Sequence, residues 1–99
     1  TVPNPTSTAI IRAGALADRA VYFRNDLAWA ANNAVPKNPH TFLTNIASAA
    51  DAPYAIGAQS QIAAFFASGG ALVIDPDGAG PFFEVPIAAP LPEGLNFLP

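Results

Sequence analysis

The stretch Asp51–Gly70, DAPYAIGAQSQIAAFFASGG, carries the clearest pattern of regular structure in this chain. Pro53 falls in the first turn of a helix that begins at Asp51, and proline suits that turn because its missing N–H needs no partner there. Apolar residues then recur every four positions and share one helical face: Tyr54, Ala58, Ile62 and Phe66. Gly69-Gly70 ends the pattern, since glycine tolerates the left-handed backbone of a C-terminal cap. The stretch predicts a helix whose apolar face packs against another surface.

Two short apolar runs follow that helix and predict a β-hairpin. They are Ala71–Ile74 (ALVI) and Phe82–Ile87 (FFEVPI), separated by the turn sequence Asp75–Gly78 (DPDG). Proline at the second position and glycine at the fourth are typical of a type I turn. Pro86 lacks an N–H, so it shortens the second strand or places it at a sheet edge. Residues 88–99 hold further prolines and predict an extended arm over a surface.

The sequence before the long helix predicts an α/β fold with about three helices in all. Thr8–Gly14 (TAIIRAG) has β-branched isoleucines and a terminal glycine, which are typical of a short strand. A helix is expected over roughly Asp18–Ala31, although its Val-Tyr-Phe segment also fits extended structure. Asn38–His40 has the residues of another helix start. We expect residues 1–99 to form a single domain, or part of a larger one whose sheet they leave incomplete.

The composition predicts a large apolar contact with another polypeptide. Apolar residues make up 52% of the chain and charged residues 11%, far below the roughly 25–35% charge of a well-solvated surface. The chain contains no methionine and begins at Thr1, so we expect it to be a processed protein or a piece of a longer one. An apolar face that the remainder of the protein or a partner chain covers would explain the missing charge.

Several function classes are disfavoured by what the sequence lacks. Its net charge is −3 with four basic residues, whereas nucleic-acid binding needs clustered cations. No apolar run approaches the roughly 20 residues of a transmembrane helix. The absence of cysteine excludes disulfides, thiolate zinc sites and a thiol nucleophile. We expect no cofactor, no nucleic-acid partner and no transmembrane segment. We also expect a secreted or cell-envelope protein rather than a cytoplasmic one.

His40, the one histidine, is the first candidate for catalysis. It lies between an Asn/Pro-rich loop and a predicted helix, and loops on a rigid scaffold often carry functional groups. Imidazole titrates near neutrality, which suits a general base, and such a base needs an orienting acid and a nucleophile. Asp18 and Asp26 are the candidate acids. The alternatives are a structural histidine, a helix N-terminal carboxylate at Asp18 and a solvated surface charge at Asp26.

These residues resemble the segment near the C-terminus of α/β-hydrolases. In that family the triad acid follows one of the last strands, often as G-x-x-D-x-x-V, and the histidine follows in a loop before the last helix. Here Gly14–Val21 (GALADRAV) has one extra residue between glycine and aspartate, and Asn38–Leu43 (NPHTFL) holds the histidine. The resemblance covers residues 10–46. It implies an incomplete α/β-hydrolase sheet, with His40 as the triad base and Asp18 as the acid.

The nucleophile that such a triad needs is not among the motifs of this chain. The G-x-S-x-G motif of the family is absent, and Gly57–Gln61 (GAQSQ) does not match it. The resemblance therefore implies the C-terminal portion of a serine esterase or lipase that acts on an apolar ester, with its serine on an upstream part. The alternative is a non-catalytic assembly or interaction subunit that docks through the apolar helix 54–66 and the arm 88–99.

Overall fold

The computed structural model describes residues 4–88 and 90–92, which form three α-helices and a two-stranded sheet. The helices are α1 (Asn4–Ala13), α2 (Asn25–Ala31) and α3 (Ala52–Ala67). The strands β1 (Tyr22–Phe23) and β2 (Phe83–Glu84) form an antiparallel pair. Single 3-10 turns lie at Ala17–Arg19 and Phe42–Thr44. The predicted mixed α/β class with three helices is confirmed at this coarse level, and the described strands stop short of an α/β-hydrolase sheet.

The sheet joins segments that lie far apart in the sequence. The paired residues of the two strands are Tyr22 with Glu84 and Phe23 with Phe83. The pairing continues beyond the strands, because the Arg24 N–H donates to the Phe82 carbonyl and the Ile87 N–H donates to the Ala20 carbonyl, each at 2.8 Å. The extended segment of residues 20–24 is thereby held along Phe82–Ile87.

The predicted hairpin between Ala71–Ile74 and Phe82–Ile87 is wrong. Residues 71–74 form no strand, and their run lies against α3, where the Gln61 side-chain amide donates to the Ile74 carbonyl at 2.6 Å. The turn at Asp75–Gly78 is present, with the Gly78 N–H 3.3 Å from the Asp75 carbonyl oxygen. The chain therefore reverses where the turn residues predict, but the second run pairs with β1 instead of with the first.

The segment predicted as the strand Thr8–Gly14 belongs to helix α1 as far as Ala13, and Gly14 lies in the turn that follows. Pro5 opens the helix, since its fixed φ suits the first helical turn, and the alanines of the segment are strong helix formers. Thr8 is buried and its hydroxyl donates to the Pro5 carbonyl at 3.3 Å. Ile10, one of the two residues that indicated a strand, is exposed on the helix surface. The strand preference of the two isoleucines is thus weaker than the helix-starting effect of Pro5 and the burial of Thr8 on one side of the helix.

The helix predicted over Asp18–Ala31 exists only as its C-terminal part, α2. After the 3-10 turn at Ala17–Arg19 the backbone is extended, because residues 20–24 give their hydrogen bonds to Phe82–Ile87. The Val-Tyr-Phe segment therefore adopts the extended alternative. The helix expected to begin at Asn38–His40 is likewise reduced to a single 3-10 turn, Phe42–Thr44.

Helix α3 confirms the central sequence prediction. It begins directly after Asp51 and ends at Ala67, and Gly69 and Gly70 follow with φ values of 64° and 83°. The burial of its predicted apolar face differs between the two halves of the helix. The N-terminal half is buried or half-buried at Tyr54 and Ala58, whereas the C-terminal half is exposed at Ile62 and Phe66.

A cluster of aromatic rings holds β1, β2 and α3 together. Phe23 stacks on Phe42 with ring centroids 4.4 Å apart, and it lies 5.3 Å from both Tyr54 and Phe83. Tyr54 also meets Phe82 edge-on, with the centroids 5.2 Å apart. Such pairs contribute about 0.5–1.5 kcal/mol each beyond their burial. Because Phe42 lies two positions after His40, the cluster also positions the loop that carries the histidine.

The C-terminal arm predicted over residues 88–99 is described only in part. Residues 89 and 93–99 lie outside the described residues, and residues 88 and 90–92 form neither helix nor strand. Among the described helices, none has both the length and the apolar character that crossing a bilayer requires.

Candidate functional site

An open cavity of about 340 Å³ lies between α1, β1 and the loop that carries His40. Its apolar walls come from several parts of the chain: Ile11, Val21, Phe23, Phe42 and Ile87. Polar side chains line the same space: Asn4, Ser7, Thr8, Tyr22 and His40. A concave, mainly apolar space with a few convergent polar groups is typical of a small-molecule site. This cavity is therefore the candidate functional site.

The loop that carries His40 is fixed by hydrogen bonds to its backbone. The buried Asn25 amide donates to the carbonyls of Pro36 and Lys37, at 3.0 and 3.2 Å. The Asn38 side-chain oxygen accepts the His40 N–H at 3.0 Å, in the kind of turn that asparagine favours. His40 itself is exposed, and within residues 4–88 and 90–92 its ring makes no hydrogen bond. The backbone thus places the imidazole at the cavity and leaves its nitrogens accessible.

The structure does not bring Asp18 to His40. Asp18 lies in the 3-10 turn Ala17–Arg19, its side chain is 74% exposed, and it forms an ion pair with Arg19 at 3.9 Å. Among the described residues, no hydrogen bond or ion pair joins Asp18 to His40. The approach of Asp18 to His40 was expected because a strand before Asp18 would end at the sheet edge where other loops gather. The segment before Asp18 is instead helix α1. The catalytic role of Asp18 stays a prediction that no contact with His40 among the described residues supports.

Asp26, the other candidate acid, is bound by Arg24. The same guanidinium also donates to Glu84 of β2, at 3.0 Å. The hydrogen bonds from Arg24 lower the pKa of Asp26, an effect that partial burial of the carboxyl opposes. Asp26 is therefore ionised and committed to a network that joins α2 to β2. Within the described part of the chain it makes no contact with His40.

Asn4 and Tyr22 are polar residues of the cavity that the sequence did not single out. The Asn4 amide donates to the Tyr22 hydroxyl at 3.3 Å, across 18 positions of the chain. Asn4 is 7% exposed, so its amide is held in one place. The contact exists because Asn4 lies in α1 and Tyr22 in β1. The one sequence signal for this contact was the Asn4-Pro5 pair, which is typical of a helix start. It would have placed Asn4 on a helix instead of in an irregular N-terminal segment.

A second concavity, of about 280 Å³, lies against the C-terminal half of α3 and includes Val21 and Val73. The exposed apolar side chains in and beside it are here called the apolar patch: Ile62, Phe65, Phe66 and Leu72. Phe66 is the most exposed of them, at 75% of its surface. A contiguous group of exposed apolar side chains commonly marks an interaction surface. Ile62 and Phe66 of the patch are the part of the predicted apolar helix face that stays exposed in the described chain.

Comparison of the chain with protein-family models, with curated proteins and with solved structures gives no match. The resemblance to α/β-hydrolases over residues 10–46 therefore neither gains nor loses support. The candidate site rests on the chemistry and geometry of this chain.

Proposed function

We propose that this chain supplies the catalytic histidine, His40, of a serine hydrolase that acts on apolar esters. The serine lies on a polypeptide that packs against this chain, either an upstream part of the same protein or a partner. The observation that carries the proposal is the accessible imidazole beside a cavity of about 340 Å³ with mainly apolar walls. Such walls accommodate the apolar groups of an ester, while the imidazole lies where a reacting hydroxyl could reach it.

His40 acts first as a base and then as an acid. One ring nitrogen accepts the serine proton as the serine oxygen attacks the ester carbonyl, and it then returns that proton to the leaving alcohol. The other nitrogen must direct its hydrogen to an acceptor, because this fixes the neutral tautomer and stabilises the imidazolium. No described carboxylate reaches the ring. The assembled enzyme supplies that acceptor, either as a carboxylate of the serine-bearing part or as Asp18 brought closer.

The apolar patch supports the need for a second polypeptide. Ile62, Phe65 and Phe66 of α3 and Leu72 after it remain exposed, although residues elsewhere on α3 are buried. Burying apolar surface stabilises association by about 25 cal/mol per Å², so a covered patch would contribute to docking. The second concavity, which most of the patch lines, and the His40 cavity share Val21. A polypeptide that covers the patch therefore lies next to the cavity.

Hydrolysis of 4-nitrophenyl butyrate by the protein that carries this chain tests the proposal. His40→Ala removes the base, and we expect kcat/KM to fall by a factor on the order of a thousand or more. Thr41→Ala is the matched control, because Thr41 is the adjacent exposed residue and does not line the cavity. Full activity of the His40→Ala protein would overturn the proposal.

A fluorophosphonate probe, which reacts covalently with activated serines, locates the nucleophile. We expect the isolated chain to remain unlabelled and the serine-bearing part to be labelled. Ser7 is the informative residue here, because it lines the cavity with His40. Labelling of the isolated chain that disappears in Ser7→Ala would show that the nucleophile lies in this chain, contrary to the proposal.

A second candidate function is a non-catalytic interaction subunit. The absence of an Asp18–His40 contact and the exposure of the apolar patch favour it. In that case His40→Ala leaves every activity of the assembly intact, whereas a charge within the patch abolishes the assembly. The hydrolase proposal expects the first substitution to remove ester turnover with the assembly preserved, so the two variants together distinguish the candidates.

A further inference from the structure

The hydrogen bond between Asn4 and Tyr22 has a definite direction. The Asn4 amide nitrogen is the donor and the Tyr22 hydroxyl oxygen the acceptor, 3.3 Å apart. A phenolic hydroxyl accepts and donates, so its own hydrogen is left for another partner. Among residues 4–88 and 90–92, no acceptor takes that hydrogen. Within the described part of the chain, Tyr22 therefore has an unused donor.

That donor belongs to the wall of the His40 cavity. Tyr22 and His40 both line it, together with the apolar side chains of Phe23 and Phe42. Tyr22 is held by the pairing of β1 with β2, and the buried Asn4 amide donates to its hydroxyl. A donor in a largely apolar cavity favours a ligand that brings an acceptor, because an unpaired polar group costs more there than in water.

We propose that the Tyr22 hydroxyl donates a hydrogen bond to the carbonyl oxygen of an apolar ester bound in the His40 cavity. The cavity thereby selects esters over hydrocarbons of the same shape. The choice of an ester rests on the proposed function, whereas the preference for a carbonyl acceptor rests on the Asn4–Tyr22 geometry. Tyr22 is in this role a specificity-determining residue, and its contribution is measured in binding without any turnover.

Two probe molecules with side chains of equal length test the inference on the isotope-labelled full chain by NMR titration. Methyl benzoate carries a carbonyl group, whereas propylbenzene has methylene groups in place of the carbonyl carbon and the ester oxygen and has no acceptor. Tyr22→Phe deletes one hydroxyl, and we expect the affinity for methyl benzoate to fall about 2- to 10-fold while that for propylbenzene changes less than about 2-fold. Tyr54→Phe is the matched control, since the other tyrosine lies on α3 and does not line the cavity.

A second variant reverses the hydrogen bond instead of deleting it. The carboxylate that Asn4→Asp introduces accepts the Tyr22 hydrogen, so the hydroxyl can no longer donate to a ligand, and we expect the same selective loss of methyl benzoate binding. Equal losses for both probes, no loss for either, or the same loss in Tyr54→Phe would each overturn the inference, as would a wild-type chain that binds neither probe. The inference and the proposed function fail separately, because the inference is measured as probe affinity in Tyr22→Phe and the proposed function as turnover in His40→Ala.

Discussion

Arg24 binds both carboxylate oxygens of Asp26: Nε lies 2.9 Å from Oδ1 and Nη2 lies 2.6 Å from Oδ2. The remaining terminal nitrogen of Arg24 binds Glu84 Oε1 at 3.0 Å. One guanidinium therefore joins the end of β1 to the first turn of α2 and to β2. Bidentate pairs of this kind fix geometry as well as contribute energy. Because Asp26 is used in this way, it is a structural group and a poor partner for His40.

The Arg24–Asp26 pair predicts a specific loss of stability in acid. Arg24 lowers the pKa of folded Asp26, so this contribution is fully present above the unfolded-state pKa of about 4 and is lost as the pH falls through the lower folded-state pKa. Asp26→Asn should therefore destabilise the chain at about pH 6, and its difference from wild type should shrink toward about pH 2. Urea unfolding across this pH range measures the effect.

Asp18→Asn is the control for that experiment. The Asp18 side chain is 74% exposed and its ion pair with Arg19 is long, so the substitution should leave the free energy of unfolding nearly unchanged at every pH. A stability difference between wild type and Asp26→Asn that stays constant with pH would contradict the role given to the Arg24–Asp26 pair.

Asp51 is a buried anchor in front of α3, and its removal should be costly. It is 2% exposed, and its carboxylate accepts the Asn45 amide at 2.5 Å. Asp51→Ala leaves that amide without its partner, so the free energy of unfolding should fall by about 1–3 kcal/mol. Denaturant unfolding checks this against Asp18→Ala, the exposed counterpart, which should stay within about 0.5 kcal/mol of wild type. A similar loss in both variants would refute the anchoring role.

The sequence predicted structure well where the deciding signals are local. Pro53 and Gly69-Gly70 mark the two ends of α3, and the turn at Asp75–Gly78 needs only its own residues. The partner of β2 depends instead on Tyr22–Phe23, some 60 residues earlier. No local pattern shows that pairing. It uses the backbone N–H and C=O groups of residues 20–24 that the helix predicted over Asp18–Ala31 would have used.

The candidate site shows the same division between local and distant information. Asn38 and Pro39 correctly indicated that His40 lies in a turn before a helical segment, although that segment is one 3-10 turn. The approach of Asp18 to His40 was inferred from a predicted strand, and helix α1 takes the place of that strand. Tyr22 joins the cavity through contacts with α1, so its position depends on tertiary packing that a single sequence does not display.

Gly57 lies where α3 meets the turn that follows it. A Cβ at this position would lie 2.9 Å from the Pro76 Cβ, and the proline ring cannot rotate away. Alanine in a helix is ordinarily better than glycine by about 0.5–1 kcal/mol, whereas overpacking costs about 1–3 kcal/mol. We therefore expect Gly57→Ala to lower the free energy of unfolding by about 1 kcal/mol. Ser60→Ala, at an exposed position of the same helix, should be neutral or slightly stabilising, and a stabilised Gly57→Ala would show that the contact is loose.

The apolar patch predicts association of the isolated chain, and Phe66 is the side chain with which to test it. Light scattering after size exclusion should give the wild-type chain a mass above the 10.1 kDa of a monomer, because the patch has no cover within the described residues. Phe66→Lys should restore the monomer with little change in stability, since the position is 75% exposed and a cation suits the last turn of a helix. Ile10→Lys is the matched control, an exposed isoleucine on α1 outside the patch, and it should leave the mass unchanged. A wild-type chain that is monomeric, or an Ile10→Lys variant as effective as Phe66→Lys, would contradict association of the isolated chain through the patch.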